Sequence, residues 1–157
     1  MILKGFIVED YANYRKPSMF LAFPYCNFKC DAESGQPVCQ NSHLANAPYI
    51  AISDAQMMLY YLNNKITCAA VCGGLEPFDC WEDLKGFIKS FRLSTRDDIV
   101  IYTGYNEDEL QEEIQWLKQY RNIIIKFGRF IPGRERKYDE VLGVELASDN
   151  QYAVKIS

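Results

Sequence analysis

Residues 66–78 read ITCAAVCGGLEPF, an apolar run followed by a Gly-Gly pair and a Glu-Pro turn. Such a run is typical of a parallel strand that is covered on both faces. Five other stretches also predict strands: LKGFIVE (3–9), SMFLAF (18–23), DIVIYTG (98–104), NIIIKF (122–127) and YAVKI (152–156). The chain therefore carries the strands of one sizeable sheet.

Three amphipathic segments between these strands begin with helix start signals. Ser53 with Gln56 forms a capping box, Asp79 with Glu82 precedes a second helix, and Asn106 with Glu109 precedes a third. The order β-α-β-α-β-α-β predicts an α/β domain with a mostly parallel sheet and alternating helices, either open or curled as an incomplete, partial TIM-type barrel. Ligands then gather at the C-terminal ends of the strands.

Length and composition set the class of protein. The 157 residues fit a single domain spanning residues 1–157. With 21 acidic and 17 basic side chains, and no basic cluster, the chain is not expected to bind nucleic acid. The N-terminal stretch predicts neither a signal peptide nor a membrane span, which places the protein in the cytoplasm. Because thiols stay reduced there, six cysteines favour metal binding or catalysis over disulfides.

Three of these cysteines, Cys26, Cys30 and Cys39, follow a predicted strand and form an incomplete ligand set. A three-thiolate set leaves one metal position open for chemistry. His43, the only histidine, offers an alternative, since it could complete a Cys3His zinc site. Of the remaining cysteines, Cys68 and Cys80 are interpreted as packing residues, and Cys72 is placed at the rim of the sheet.

Unusual loops follow three predicted strands. Cys26 and Cys30 come after the strand ending near Phe23. Gly73 and Gly74 follow the strand ending near Val71, and Thr103 and Gly104 follow the strand ending near Tyr102. Because the C-terminal ends of parallel strands share one edge, these loops are expected to lie together.

The cysteine pattern Cys26-x3-Cys30, the CQN that follows, the CGGLEPF one strand later and the IYTGY one strand after that resemble the radical S-adenosylmethionine enzymes. More narrowly, they resemble the small activating proteins of the anaerobic ribonucleoside-triphosphate reductase. The chain length and the C-terminal GVELASDNQYAVKI add to this resemblance. Two departures mark a divergent branch: residues 31–38, DAESGQPV, separate Cys30 from Cys39 where the family usually has two residues, and Leu75 interrupts the usual Gly-Gly-Glu-Pro.

The resemblance implies a [4Fe–4S] cluster on Cys26, Cys30 and Cys39, with the fourth iron binding the methionine part of S-adenosylmethionine. It implies that Gly73 and Gly74 allow close approach of that part, and that Pro77 completes the turn. The other implied cofactor contacts are Val38, Gln40, Glu76, Thr103 and Gly104, with Asn150 and Gln151 closing the far side. For residues 31–38, Gly35 and Pro37 are expected to fold the loop back at small entropic cost.

The function implied by the resemblance is that of a radical S-adenosylmethionine activase, an oxidoreductase. It would generate a glycyl radical on a large partner enzyme, anaerobic ribonucleotide reductase being the first candidate, with a flavodoxin or ferredoxin as electron donor. Two alternatives stay open: an activase of another glycyl radical enzyme or a small peptide-modifying radical enzyme, and, from another class, a zinc-binding interaction domain.

Overall fold

A computed structural model describes all residues, 1–157, as an α/β fold with ten strands and five α-helices. The strands are β1 (Ile2–Leu3), β2 (Gly5–Asp10), β3 (Ser18–Phe23), β4 (Ile50–Ala51), β5 (Ala69–Gly74), β6 (Asp98–Tyr102), β7 (Ile123–Phe127), β8 (Lys137–Asp139), β9 (Val144–Leu146) and β10 (Tyr152–Lys155). The helices are α1 (Lys29–Ser34), α2 (Ser42–Ala45), α3 (Asp54–Asn63), α4 (Trp81–Ser94) and α5 (Gln111–Leu117). All six strands predicted from the sequence are present.

Six strands form the main sheet, in the order β10-β7-β6-β5-β3-β2. The four central strands β3, β5, β6 and β7 pair in parallel, whereas β2 and β10 pair antiparallel at the two edges. The sheet is therefore mixed, and the expectation of a mostly parallel sheet is corrected at both edges. Nor does it close into a barrel. The two edge strands reverse direction because β2 leads into β3, and β10 returns beside β7, without a crossover helix.

Side chains of the central strands alternate between two separate cores. In β5, Ala70 and Cys72 pack with the buried side chains of α3, α4 and α5, while Ala69 and Val71 belong to the core on the opposite face. That second face carries Leu142 and Leu146 of the β8–β9 segment and no long helix. The three longer helices thus lie on one side of the sheet, and the other side is free to form a cavity.

The helix start signals are borne out unequally. Ser53 and Gln56 form the capping box of α3. Asn106 and Glu109 also form a capping box, but it opens a 3-10 turn (Glu107–Glu109), and α5 begins at Gln111. The second helix is preceded by a 3-10 turn (Pro77–Cys80), so Cys80, not Asp79, occupies the N-cap of α4.

The stretch 31–48, without predicted regular structure, contains most of α1 and all of α2. Both are short, and their amphipathic patterns are too brief to be read from the sequence. Among the helices of the structure, none combines the length and the apolar character that crossing a membrane requires.

Candidate functional site

A cavity of about 310 Å³ opens at the C-terminal ends of β3, β5, β6 and β7, on the side of the sheet without the long helices. Cys26, Cys30 and Cys39 all line it. Gly73 and Gly74 at the end of β5, and Thr103 and Gly104 after β6, line it as well, so the predicted meeting of these successive loops at one edge is confirmed. The cavity also has an apolar wall, formed by Phe20, Leu44, Phe130, Val144 and Leu146.

Most of the other predicted contact residues line the same cavity: Gln40, Gly73, Gly74, Glu76, Thr103, Gly104 and Gln151. Two of the predicted contact residues, Val38 and Asn150, do not line it, and neither does the alternative metal ligand His43. Val38 donates its backbone N–H to Asp31, Asn150 donates its side-chain amide to the Arg129 carbonyl, and His43 is exposed on α2. His43 therefore does not share the cavity lining with the three thiols.

The long loop between Cys30 and Cys39 folds back through Asp31. Its Oδ1 accepts the backbone N–H groups of Val38 and Cys39, each at 2.8 Å. Gly35 ends α1 with φ +71°, a left-handed conformation that glycine adopts without steric cost, and its N–H donates to the Asp31 carbonyl. Gly35 thus turns the chain as predicted, and Asp31 holds the returning strand of the loop beside α1.

Burial raises the pKa of all three cavity thiols, that of Cys26 to about 12. Backbone N–H groups oppose this rise. The Phe28 N–H donates to Cys26 Sγ at 3.2 Å, and the N–H groups of Phe130 and Asn41 lower the pKa of Cys30 and Cys39 in the same way. Amides directed at sulfur stabilise a thiolate, whether it is free or metal-bound. Without a metal these thiols are protonated at neutral pH, and a metal would have to displace the protons.

Glu76 is a fully buried carboxylate that joins two strand ends. It accepts hydrogen bonds from Thr103 Oγ1 at 2.9 Å, from Gly104 N at 2.9 Å and from Phe78 N at 3.1 Å. Burial raises its pKa to about 7 in spite of these donors. The carboxylate therefore fixes the loop after β5 against the loop after β6, while it also borders the cavity.

The glycines of the site serve different purposes. Gly74 has φ +86°, and a Cβ there would lie 2.6 Å from Ala22 Cα, so this glycine is required by the packing of β5 on β3. At Gly104, a Cβ would lie 3.5 Å from Cys30 Sγ and 3.7 Å from Glu76 Oε2. A methyl group at Gly104 would therefore occupy space between the thiol and the carboxylate.

Lys126 is the residue that the sequence interpretation missed. It lies near the end of β7, lines the cavity, is 7 % exposed and forms no ion pair. Its Nζ donates to the carbonyls of Gly128 at 3.0 Å and Thr103 at 3.4 Å, which leaves one N–H free. Burial lowers its pKa to about 8, a drop that Glu76 and Cys30 oppose. The sequence does carry a signal for Lys126, because it is a single lysine inside the apolar run NIIIKF. A charge buried in a sheet needs a partner, so such a lysine indicates a polar site.

The remaining cysteines lie outside the cavity. Cys72 is fully buried on the helix side of β5, so its placement at the rim was wrong. Cys80 is partly exposed and borders the helix-side core as expected. Cys68 is also partly exposed but belongs to neither core, so its interpretation as a core packing residue was wrong. In the structure as it stands, no group of three or more His, Cys, Asp or Glu side chains is gathered as a metal site. The thiols of Cys26, Cys30 and Cys39 line one cavity but do not form a closed ligand set.

No family model, curated protein or solved structure matches this chain. Any functional proposal therefore depends on the residues of the cavity and on the sequence motifs that place them there.

Proposed function

We propose that this protein is a radical S-adenosylmethionine activase that generates a glycyl radical on a separate, larger enzyme. The first candidate for that enzyme is the anaerobic ribonucleoside-triphosphate reductase. The observation that carries the proposal is the shared cavity: Cys26, Cys30 and Cys39, although up to 13 positions apart, line one space together with the glycine-rich ends of β5 and β6. We propose in addition that the sheet corresponds to the partial barrel of that enzyme class and that the protein works in the cytoplasm.

The cavity fits the group that the motifs imply. Cys26, Cys30 and Cys39 would hold a [4Fe–4S] cluster, whose sulfurs would receive the backbone N–H groups that now oppose the rise of the thiol pKa values. Gly104 leaves space next to Cys30 Sγ that any side chain would fill. When bound, the cluster supplies the electron for reductive cleavage of S-adenosylmethionine. The protein's own contribution is to bind, orient and shield.

Lys126 gives the cavity a buried cation, and Glu76 gives it a buried carboxyl group that is about half ionised near pH 7. The methionine part of S-adenosylmethionine carries an ammonium and a carboxylate. The free N–H of Lys126 suits the carboxylate, because a charge-assisted hydrogen bond would compensate a buried cation that has no ion-pair partner. Glu76 already accepts three hydrogen bonds, so it holds Thr103 and Gly104 in place and offers its remaining lone pair to the ligand.

The apolar wall of the cavity would limit access to the reacting groups. Phe20, Leu44, Phe130 and Leu146 contribute to this wall. A primary carbon radical needs such shielding, because solutes with weak C–H or S–H bonds would otherwise compete with the intended hydrogen donor. The hydrogen donor would be a glycine supplied by the partner enzyme, with a flavodoxin or ferredoxin as the source of electrons.

Two other functions make different demands on the same residues. An activase of another glycyl radical enzyme, or a small peptide-modifying radical enzyme, would use the same cavity and differ in the partner. A Cys3His zinc-binding domain needs His43 near the three thiols, and His43 is exposed on α2, outside the cavity. The absence of His43 from the cavity lining favours a three-thiolate site with an open metal position.

Anaerobic purification followed by metal analysis and electron paramagnetic resonance tests the proposal. We expect brown protein with about four iron and four sulfide per chain. In the reduced protein, S-adenosylmethionine should shift the cluster signal, because direct coordination changes the iron that gives it. Colourless protein with one zinc per chain, or a signal that does not respond to S-adenosylmethionine, would reject it.

A further inference from the structure

Arg129 follows β7 and its glycine, and its side chain is only 7 % exposed. Its guanidinium donates two hydrogen bonds of 2.6 Å, one to each carboxylate oxygen of Glu109. This bidentate pair, which only arginine can form, holds the pKa of Glu109 down at about 2. Arg129 is thereby fixed to the 3-10 turn that precedes α5.

The same guanidinium also reaches α1, the helix that carries Cys30. Its Nε lies 3.1 Å from Glu33 Oε1, a contact of opposite charges that lacks the alignment of a hydrogen bond. Lys29, in the first turn of α1, adds a second link, with its Nζ 3.4 Å from Glu109 Oε1. Two carboxylates, one guanidinium and one ammonium group thus connect α1 to the segments that follow β6 and β7.

The backbone around Arg129 faces the Cys30 sulfur. A Cβ at Gly104 would lie 3.5 Å from Cys30 Sγ and 3.9 Å from Arg129 Cγ, so both atoms border the same point. Phe130, the next residue, lines the cavity, and its backbone N–H acts on Cys30. The Asn150 amide holds the Arg129 carbonyl at 2.8 Å. Arg129 therefore sits where α1, the cavity wall and the C-terminal segment meet.

We infer that Arg129 is a positioning residue, which clamps α1 against the segment Gly128–Phe130 and so holds the Cys30 sulfur at the cavity wall. It acts through Cys30 and not on a ligand. The role of Cys30 as a cluster ligand rests on the proposed function, whereas the clamp itself is a property of the metal-free chain. Lysine cannot replace this arginine, because one ammonium group cannot pair with both oxygens of Glu109 and also reach Glu33.

The clamp is tested first in reduced, metal-free protein with Arg129→Lys, which keeps the positive charge near Cys30. Two quantities are measured: amide hydrogen exchange of residues 28–34 and 128–131, and the rate of Cys30 alkylation by iodoacetamide relative to that of Cys39. Loss of the charge-assisted hydrogen bonds should accelerate both by about tenfold. Arg136→Lys is the matched control, because Arg136 is exposed and its pair with Glu145 at 3.5 Å lies outside the clamp.

Glu33→Gln tests the link to α1 alone, at a side chain that is 62 % exposed and whose replacement does not threaten folding. Exchange should accelerate in residues 28–34 and stay unchanged in 128–131. Folded Arg129→Lys with wild-type exchange and wild-type Cys30 alkylation overturns the inference. If Arg129→Lys does not fold, Glu33→Gln decides: unchanged exchange in residues 28–34 overturns the clamp.

Iron reconstitution separates this inference from the proposed function. If the cluster forms, Arg129→Lys should bind less iron and show a broadened resonance signal, while Arg136→Lys matches the wild type. If the wild-type protein binds no iron, the proposed function fails, and the exchange and alkylation results still decide the clamp.

Discussion

A Cβ at Gly104 would lie 3.5 Å from the Sγ of Cys30. Because glycine has no side chain, the chain after β6 leaves space beside a thiol of the segment that follows β3. The same point is 3.7 Å from Glu76 Oε2. These are ordinary van der Waals distances, so an alanine would fit in the metal-free protein and use up room that a ligand needs.

Gly104→Ala should therefore leave the melting temperature of the metal-free protein nearly unchanged and weaken the binding of S-adenosylmethionine to the reconstituted protein. An added methyl group in a filled site costs about 1–3 kcal/mol, or about 5–150-fold in affinity. Titration calorimetry measures the affinity. Gly86→Ala, on α4 and away from the cavity, is the control and should bind as the wild type does. Equal affinities in all three proteins would contradict this role for Gly104.

Gly74→Ala should have the opposite outcome, a loss of stability. Its positive φ and the contact of 2.6 Å with Ala22 Cα combine backbone strain with overpacking, together worth about 2–5 kcal/mol. Urea denaturation of the metal-free protein measures the free energy of unfolding. A variant as stable as the wild type would show that β5 and β3 are not packed this closely.

Replacement of Cys26, Cys30 or Cys39 by alanine should abolish iron loading and reductive cleavage of S-adenosylmethionine, while Cys68→Ala should retain both. The three thiols line the cavity, and Cys68 lies outside it. Product analysis for methionine and 5′-deoxyadenosine checks the outcome. Full activity of Cys39→Ala would refute its role as a ligand. Cys72 could not substitute for it, since its side chain is buried on the opposite face of the sheet.

Lys126→Met should weaken S-adenosylmethionine binding by about 10–100-fold, because the charge-assisted hydrogen bond to a ligand carboxylate is lost. The melting temperature should change little, since removal of a buried cation offsets the two carbonyls left without a donor. Calorimetry and thermal unfolding provide the two measurements. Lys155→Met, at an exposed lysine bonded to Asn122, is the matched control. An unchanged affinity would show that no anionic group meets Lys126.

The raised pKa of Glu76 predicts a pH dependence of stability. Its pKa rises from 4.5 in the unfolded chain to about 7 in the folded protein, so the folded form keeps a proton that the unfolded form has lost. The free energy of unfolding should therefore fall as pH rises from about 4.5 to about 7, by on the order of 3 kcal/mol. Urea denaturation across this range should give a flatter profile for Glu76→Gln. The exposed variant Glu135→Gln should keep the wild-type profile, and parallel profiles for both variants would contradict the assignment.

The sequence predicts the central sheet well because its signals there are local. Apolar runs identify β5, β6 and β7, and the strand-end rule places the residues that follow them at one edge. The antiparallel edges were not foreseen, because the direction of an edge strand depends on which neighbour it meets and not on its own pattern. Asp79 looked like an N-cap, yet its carboxylate accepts the Asn27 N–H and the Tyr105 hydroxyl, two partners far away in the chain.

The candidate site was predicted in part for the same reason. Its cysteines and glycines stand in motifs, whereas Lys126 and Arg129 become important only through folding. Lys126 is a single charge in an apolar strand, and Arg129 acquires its function from Glu109 and Glu33, which lie 20 and 96 positions away. Such long-range pairs leave no periodic signal in one sequence.

Cys26, Cys30 and Cys39 lie in the crossover between β3 and β5, which spans residues 24–68. The two strands pair directly within the sheet, so their pairing does not depend on the length of this connection. Six residues added to or removed from a connection of this length change its closure entropy by only about 0.1 kcal/mol. A gap of eight residues between Cys30 and Cys39 therefore carries almost no penalty for the scaffold, provided that an anchor such as Asp31 brings the Cys39 sulfur back to the cavity. The segment is a tolerant site for remodelling.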